Sequence, residues 1–158
     1  MKKFVSFITL VILISTSCSP AQSSPTQIIV HIAGTATSSI CKPTFDDGIS
    51  PTYLPNAPER TVVGHGHILT GLVLSSADCK PIANAKLEFW PEETGLGHSD
   101  SSRAILFTDQ DGHYRFECNQ PEHFHMRVSE AGYLTIGINS YHPDGATEGT
   151  FDIVLEPE

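Results

Sequence analysis

Two histidines stand two residues apart in the stretch Pro121-Glu122-His123-Phe124-His125. In an extended strand, residues i and i+2 project from one face, about 6–7 Å apart along the chain. From there both imidazoles can lean onto one cation at about 2.0–2.1 Å. A third donor turns such a pair into a functional site, and His98, at the end of Gly95-Leu96-Gly97-His98, is the candidate. Three protein ligands with coordination positions left open are what a catalytic metal needs. His65-Gly66-His67 has the same spacing and is the rival pair, but it lies between glycines and no third donor goes with it. His113 and His142 read as surface residues or neighbours of a site, and His31 as structural or exposed. Glu92-Glu93 reads as a solvated pair before a turn. No serine–histidine–acid arrangement, phosphate loop or CxxC is present.

The elements that must position these residues are strands. No long helical period appears, and short β-rich runs alternate with turn residues. Candidate strands are Ile28–Ala33, Ile68–Ser75, Lys86–Trp90, Ala104–Thr108, His113–Cys118, Phe124–Ser129, Leu134–Ser140 and Thr150–Leu155. Asp111-Gly112, between two such runs, predicts a hairpin because that pair tolerates positive φ. Ala131-Gly132 and Asp144-Gly145 mark further turns. The expected fold is all-β, an antiparallel sandwich of about eight strands. The segment 42–62, with four prolines and little alternation, is expected to wrap over the sandwich as an ordered loop.

Leu72-Val73-Leu74, Pro81-Ile82-Ala83-Asn84-Ala85 and Thr108-Asp109-Gln110-Asp111-Gly112-His113-Tyr114-Arg115-Phe116 form a pattern shared by several small sandwiches, including carboxypeptidase regulatory-like and transthyretin-like modules. Further motifs narrow it: Ser50-Pro51-Thr52-Tyr53-Leu54-Pro55-Asn56 before the sandwich, Trp90 followed by Gly97-His98, the histidine pair, and Tyr141-His142-Pro143-Asp144. In this order and spacing, from about Cys41 to Tyr141, the chain resembles the intradiol ring-cleavage dioxygenases of the catechol and protocatechuate type. The resemblance implies one metal ion on a β-sandwich, iron by family likeness, with dioxygen and a small aromatic diol as reactants. The family holds ferric iron with two tyrosines and two histidines. Its histidine pair falls on His123 and His125. Its first tyrosine ligand, eight residues after the tryptophan, falls on His98. Its second belongs between Phe116 and His123, where residues 117–122 contain no tyrosine. Its active-site arginine falls on Gln120 and its glutamine on Asn139, while Tyr53 matches a tyrosine of the substrate-side loop. Gln120, Asn139 and Tyr53 are therefore expected near the open coordination positions. Three neutral imidazoles bring no negative charge, so the expected ion is divalent: iron(II), copper(II) or zinc(II).

Lys2-Lys3, an apolar run over 4–14 and Ser15-Thr16-Ser17-Cys18 follow the order of a secretory leader, with residues 1–17 as signal. Cys18 is the expected lipid-attachment site at the outer surface of a bacterial membrane, free secretion being the alternative. Residues 18–27 read as a tether and 28–158 as the sandwich domain. The formal net charge is −9, and it becomes −11 once Lys2 and Lys3 leave the nine basic residues that face 18 acidic ones. Such a surface, without a basic patch, repels phosphate backbones, so no nucleic-acid partner is expected. Export makes a disulfide plausible among Cys41, Cys79 and Cys118, and Cys41–Cys79 is favoured, with Cys118 a buried thiol or part of the metal environment. The rival to an enzyme is a non-catalytic cell-surface sandwich that binds a partner or captures copper or zinc. A hydrolase using zinc-bound hydroxide is a third, weaker reading, because no general base is visible.

Overall fold

Strand after strand in this chain alternates apolar and polar residues, and that period closes two sheets over one core. The computed structural model describes residues 41–93 and 97–158, within the unit Ala36–Glu158. The leader, Cys18, the tether and the Ile28–Ala33 run lie outside the described residues.

Nine strands are described: β1 (His67–Ser75), β2 (Lys86–Glu93), β3 (Gly97–His98), β4 (Ala104–Phe107), β5 (His113–Cys118), β6 (Pro121–Ser129), β7 (Ile136–Tyr141), β8 (Glu148–Thr150) and β9 (Ile153–Leu155). One sheet centres on β1, with β5 antiparallel on one side and β8 and β9 parallel on the other. The second centres on β2 and β6, with β7 outside β6, and β3 and β4 sharing the far edge of β2. The fold is thus all-β and two-layered, as expected. The Thr150–Leu155 run is divided, because Asp152 turns to accept the Leu72 amide at 2.9 Å.

Asp111-Gly112 does turn the chain, with Gly112 at φ +76°. It does not make a hairpin: β4 belongs to one sheet and β5 to the other. Asp109 Oδ1 accepts from the amides of Asp111 and His113, so a local turn carries the chain between layers.

Between the sheets, β1 and β5 present Leu69, Val73, Tyr114, Phe116 and Cys118, and the facing sheet presents Leu87, Phe89, Phe124, Met126 and Val128. Phe89 stacks on Phe116 at 4.5 Å between centroids, and Phe124 meets both edge-on at 6.1 Å. Each such side chain contributes about 1.5–3 kcal/mol by leaving water. Burial pushes the Cys118 thiol up to about 12, so it packs as an inert apolar group.

The other face of β2 and β6 carries the polar positions, and the 42–62 segment lies across it. A disulfide between Cys41 and Cys79 ties the start of this strap down. Gly137 has to be glycine, because a Cβ there would stand 2.2 Å from the Gly48 carbonyl oxygen. The resulting close approach lets Asp46 and Asp47 accept from the amides of Gly137 and Asn139, at 2.8 Å each.

Candidate metal centre

Register assembles the site. Glu92 on β2 is paired on one side with His98 of β3 and on the other with His123 of β6. One rank back along β2, Trp90 is paired with His125. Adjacent strands lie about 4.8 Å apart, so these side chains rise together from one face. The rings converge accordingly: His123 and His125 centroids are 4.6 Å apart, and His98 is 4.8 Å from His125 and 6.3 Å from His123. One donor atom each from Glu92, His98, His123 and His125 lies within 4.8 Å of all the others. Donors on opposite sides of one ion stand at most about 4.4 Å apart, so the group needs little adjustment to share one.

His98 is brought in by local geometry. Gly97 at φ +67° makes the left-handed turn into β3 that other residues resist. Behind it a 3-10 turn, Asp100–Ser102, is capped by Ser99, whose hydroxyl accepts from the Ser101 amide. Arg60 donates to the carbonyls of Ser101 at 2.9 Å and of Arg103 at 2.6 Å. Arg103 in turn donates to the Leu54 carbonyl, which clamps the His98 segment to the strap.

His125 is oriented from behind. Its Nδ1 meets Asn139 Oδ1 at 2.6 Å, while the Asn139 amide nitrogen donates to the Gly48 carbonyl at 2.9 Å. With Oδ1 as acceptor, Nδ1 carries the proton and Nε2 turns its lone pair to the cluster. Burial first, and the neighbouring His123 and His98 next, hold His125 below the usual imidazole range, against the pull of the Asn139 bond. The indole of Trp90 lies nearly parallel to its ring, at 22° and 6.1 Å.

At the centre, His123 Nε2 stands 3.0 Å from His125 Nε2 and 3.2 Å from Glu92 Oε2. Two imidazole nitrogens and a carboxylate therefore converge on one spot, an arrangement that a shared cation satisfies. The donor set fits the metal that the resemblance implies.

The other expected residues have these surroundings. Asn139 stands behind His125, not at the open positions. The Tyr53 hydroxyl is held by Glu88 at 3.1 Å, four residues back along β2 from Glu92 and so about 13 Å away. Gln120, in the turn leading into β6, buries its Nε2 without a hydrogen-bond partner. The rival pair is split: His67 is buried, with Nδ1 on the Ala146 carbonyl at 2.6 Å, and His65 pairs with Glu117. His142 is exposed, with its ring 5.4 Å from that of His123. Glu92 and Glu93 are not a solvated pair: Glu93 is buried and receives Asn119 Nδ2 at 3.1 Å, and Glu92 is in the cluster. Glu92 was missed because Pro91 reads as the end of a strand. Yet β4 covers Lys86 to Phe89 and β3 covers Glu92 and Glu93, so Pro91 falls in the gap where that edge needs no donor. The signal was the alternation itself, which puts Glu92 on the face of Trp90.

Replacing Asn139 with Ala frees the His125 ring to turn, and metal affinity is expected to fall about 10–100-fold with the fold retained. Titration with zinc(II) against a chromophoric chelator measures it, and unchanged affinity would remove Asn139 from the account.

The two-layer sandwich is the fold of solved intradiol ring-cleavage dioxygenases. The dioxygenase domain of a dioxygenase–carbohydrate-binding protein fusion from Streptomyces sp. SirexAA-E is 25% identical, with a TM-score of 0.60 over 74% of this chain and 100% of that one. A 3-chlorocatechol 1,2-dioxygenase from Rhodococcus opacus has a TM-score of 0.64 at 14% identity, over 73% of each chain, a likeness of fold. In sequence, catechol 1,2-dioxygenase from Candida albicans is 25% identical over 133 residues, 56% of this chain and 43% of that protein. The chain thus matches less than half the length of that curated relative. No protein-family model matches it. In sequence and fold the chain is a divergent relative of the intradiol ring-cleavage dioxygenases.

Proposed function

We propose that the protein is a metal-dependent, dioxygenase-like oxidoreductase that takes a catechol-type diol and dioxygen at a site held by His98, His123 and His125. The observation that carries this is the meeting of three ring nitrogens from two strands, β3 and β6, on one face of the sheet in a chain whose fold is that of intradiol dioxygenases. Bound iron or copper would supply the one-electron chemistry that lets an aromatic diol react with dioxygen. The chain's own residues do the rest. The three imidazoles hold the ion without cancelling its charge. Asn139 fixes the tautomer of His125. Trp90 and the strap wall off one flank of His125, Trp90 Nε1 donating to Thr52 Oγ1 at 3.2 Å.

The test is oxygen uptake with catechol, pyrogallol and gallate after reloading with iron(II), copper(II) or zinc(II). Uptake is expected with a redox-active ion and is lost in His123→Ala. No uptake with any ion would leave the second reading, a metal-capturing surface module. One observation favours that reading. The family's arginine position is Gln120, and Arg127, on the same face of β6 as the histidine pair, is bound to Glu88 at 2.5 Å and so is not free to stabilise an anionic intermediate.

The reading includes export and anchoring through Cys18. Support comes from the leader's order of basic, apolar and small residues, and from a disulfide suited to an oxidising compartment. Radiolabelled palmitate should enter the wild-type chain and not Cys18→Ser; equal labelling of both would overturn the anchor.

A further inference from the structure

Glu92 has a place in the site that three histidines alone leave open. Its side chain keeps 32% of its surface, and its carboxylate faces imidazoles: His123 Nε2 at 3.2 Å and His98 Nε2 at 3.9 Å. Two other carboxylates on these sheets have a lysine or arginine partner: Glu88 has Lys86 and Arg127, and Glu117 has Arg115 beside His65. Among the described residues, no lysine or arginine is paired with Glu92. Its strand position is also the middle one, with a histidine directly opposite on each side. A half-buried carboxylate flanked by two imidazoles gains most from a cation held by those same rings.

We propose that Glu92 is a direct metal ligand, completing a donor set of three imidazole nitrogens and one carboxylate oxygen and supplying the negative charge of the site. This rests on the metal reading above. It has two consequences for selectivity. An anionic oxygen beside three nitrogens suits the harder divalent ions, iron(II), manganese(II) and cobalt(II), better than a purely imidazole set does, and it weakens the preference for copper. The carboxylate also lowers the net charge of a divalent centre from +2 to +1. A diol that binds after losing one proton then makes the site neutral, while a second lost proton makes it anionic. The chain's own charge thus favours a singly deprotonated diol over a fully deprotonated one.

Cobalt(II) is the probe. Wild type, Glu92→Gln, Glu92→Asp and His98→Ala are titrated in competition with a chelator, and the thermal midpoint without metal verifies that each variant folds. Proton NMR of the cobalt(II) protein then reads which side chains carry the paramagnetic shift. The expectation is one ion per wild-type chain, affinity about 100-fold or more lower in Glu92→Gln, and partial recovery in Glu92→Asp. Strongly shifted glutamate methylene signals should be present in wild type and absent in Glu92→Gln. If wild type binds cobalt(II) and Glu92→Gln binds it equally, Glu92 is not a ligand although the histidine site stands. If affinity falls but wild type shows no shifted glutamate signals, Glu92 only positions the rings, and direct ligation is overturned. If wild type binds no metal, the histidine site itself fails.

Discussion

His123→Ala and His125→Ala are expected to lose metal binding without losing the fold. Zinc sites with four protein ligands are worth about 10–16 kcal/mol, so one donor accounts for about 3 kcal/mol, roughly 100-fold or more in affinity. The two rings leave from the strap-covered face of β6, while its other face keeps Phe124, Met126 and Val128 in the core. The metal-free thermal midpoint should therefore change little, and elemental analysis of the purified variants should fall from about one ion per chain to near zero. His98→Ala should behave the same way, because its ring closes the group from the opposite edge of β2. Colour gives an independent reading. With no tyrosine in the donor group, an iron-loaded protein should lack the intense charge-transfer band of a tyrosinate. A deep red protein would mean that Tyr53 or another phenol has moved in and that the donor set is wrong.

Glu88→Ala is expected to be the most damaging substitution outside the core. Glu88 is 3% exposed, yet it holds Lys86 at 3.0 Å, Arg127 at 2.5 Å and the Tyr53 hydroxyl at 3.1 Å. Removing it leaves Arg127 without its counter-charge beneath the strap and releases Tyr53 from its tilted contact with Trp90, whose ring centroid is 5.1 Å away. Breaking a buried pair from one side costs about 3–5 kcal/mol, which urea unfolding would read as a lower midpoint at unchanged slope. Replacing both partners, Glu88→Met with Arg127→Met, should recover much of the loss, because Arg127 is then no longer left unmatched and Lys86 can turn to water. The sign of the pH dependence is fixed as well. Burial raises the Glu88 carboxyl, but the Arg127 and Lys86 bonds outweigh it, and the group ends below the usual carboxylate range. Its stabilising contribution is therefore complete above that range and is lost as pH falls through the lowered folded value. A Glu88→Gln protein should show a flatter acid limb than wild type; identical limbs would place the acid sensitivity elsewhere.

These residues also show what the sequence could carry. The His123–His125 pair was legible because strand alternation is local: two residues apart means one face, whatever the partner strand. His98 was legible by its distance from Trp90 in a known pattern. Glu92 was not, since its role depends on which strands flank β2 and on Pro91 falling between β3 and β4, and pairing of that kind is long-range. Asp111-Gly112 shows the same limit from the other side. Its turn chemistry was read correctly, but a turn does not say whether the next strand joins the same sheet. Asn139 and Tyr53 were legible as polar residues of the site's face, but the partners that hold them were not. Only the strap's contacts with Gly48 and Glu88 decide what their polar ends can reach. The Glu88 network left no mark, because a charged residue at an alternating strand position looks solvated until a loop is known to cover it.

The most direct test is a crystal structure of the protein loaded with a divalent ion. The account requires one ion bonded to the ring nitrogens of His98, His123 and His125 at about 2.0–2.2 Å, with at least one position open to solvent or a diol. An ion bound elsewhere, or bound to the β6 pair while His98 stays out of reach, would contradict it.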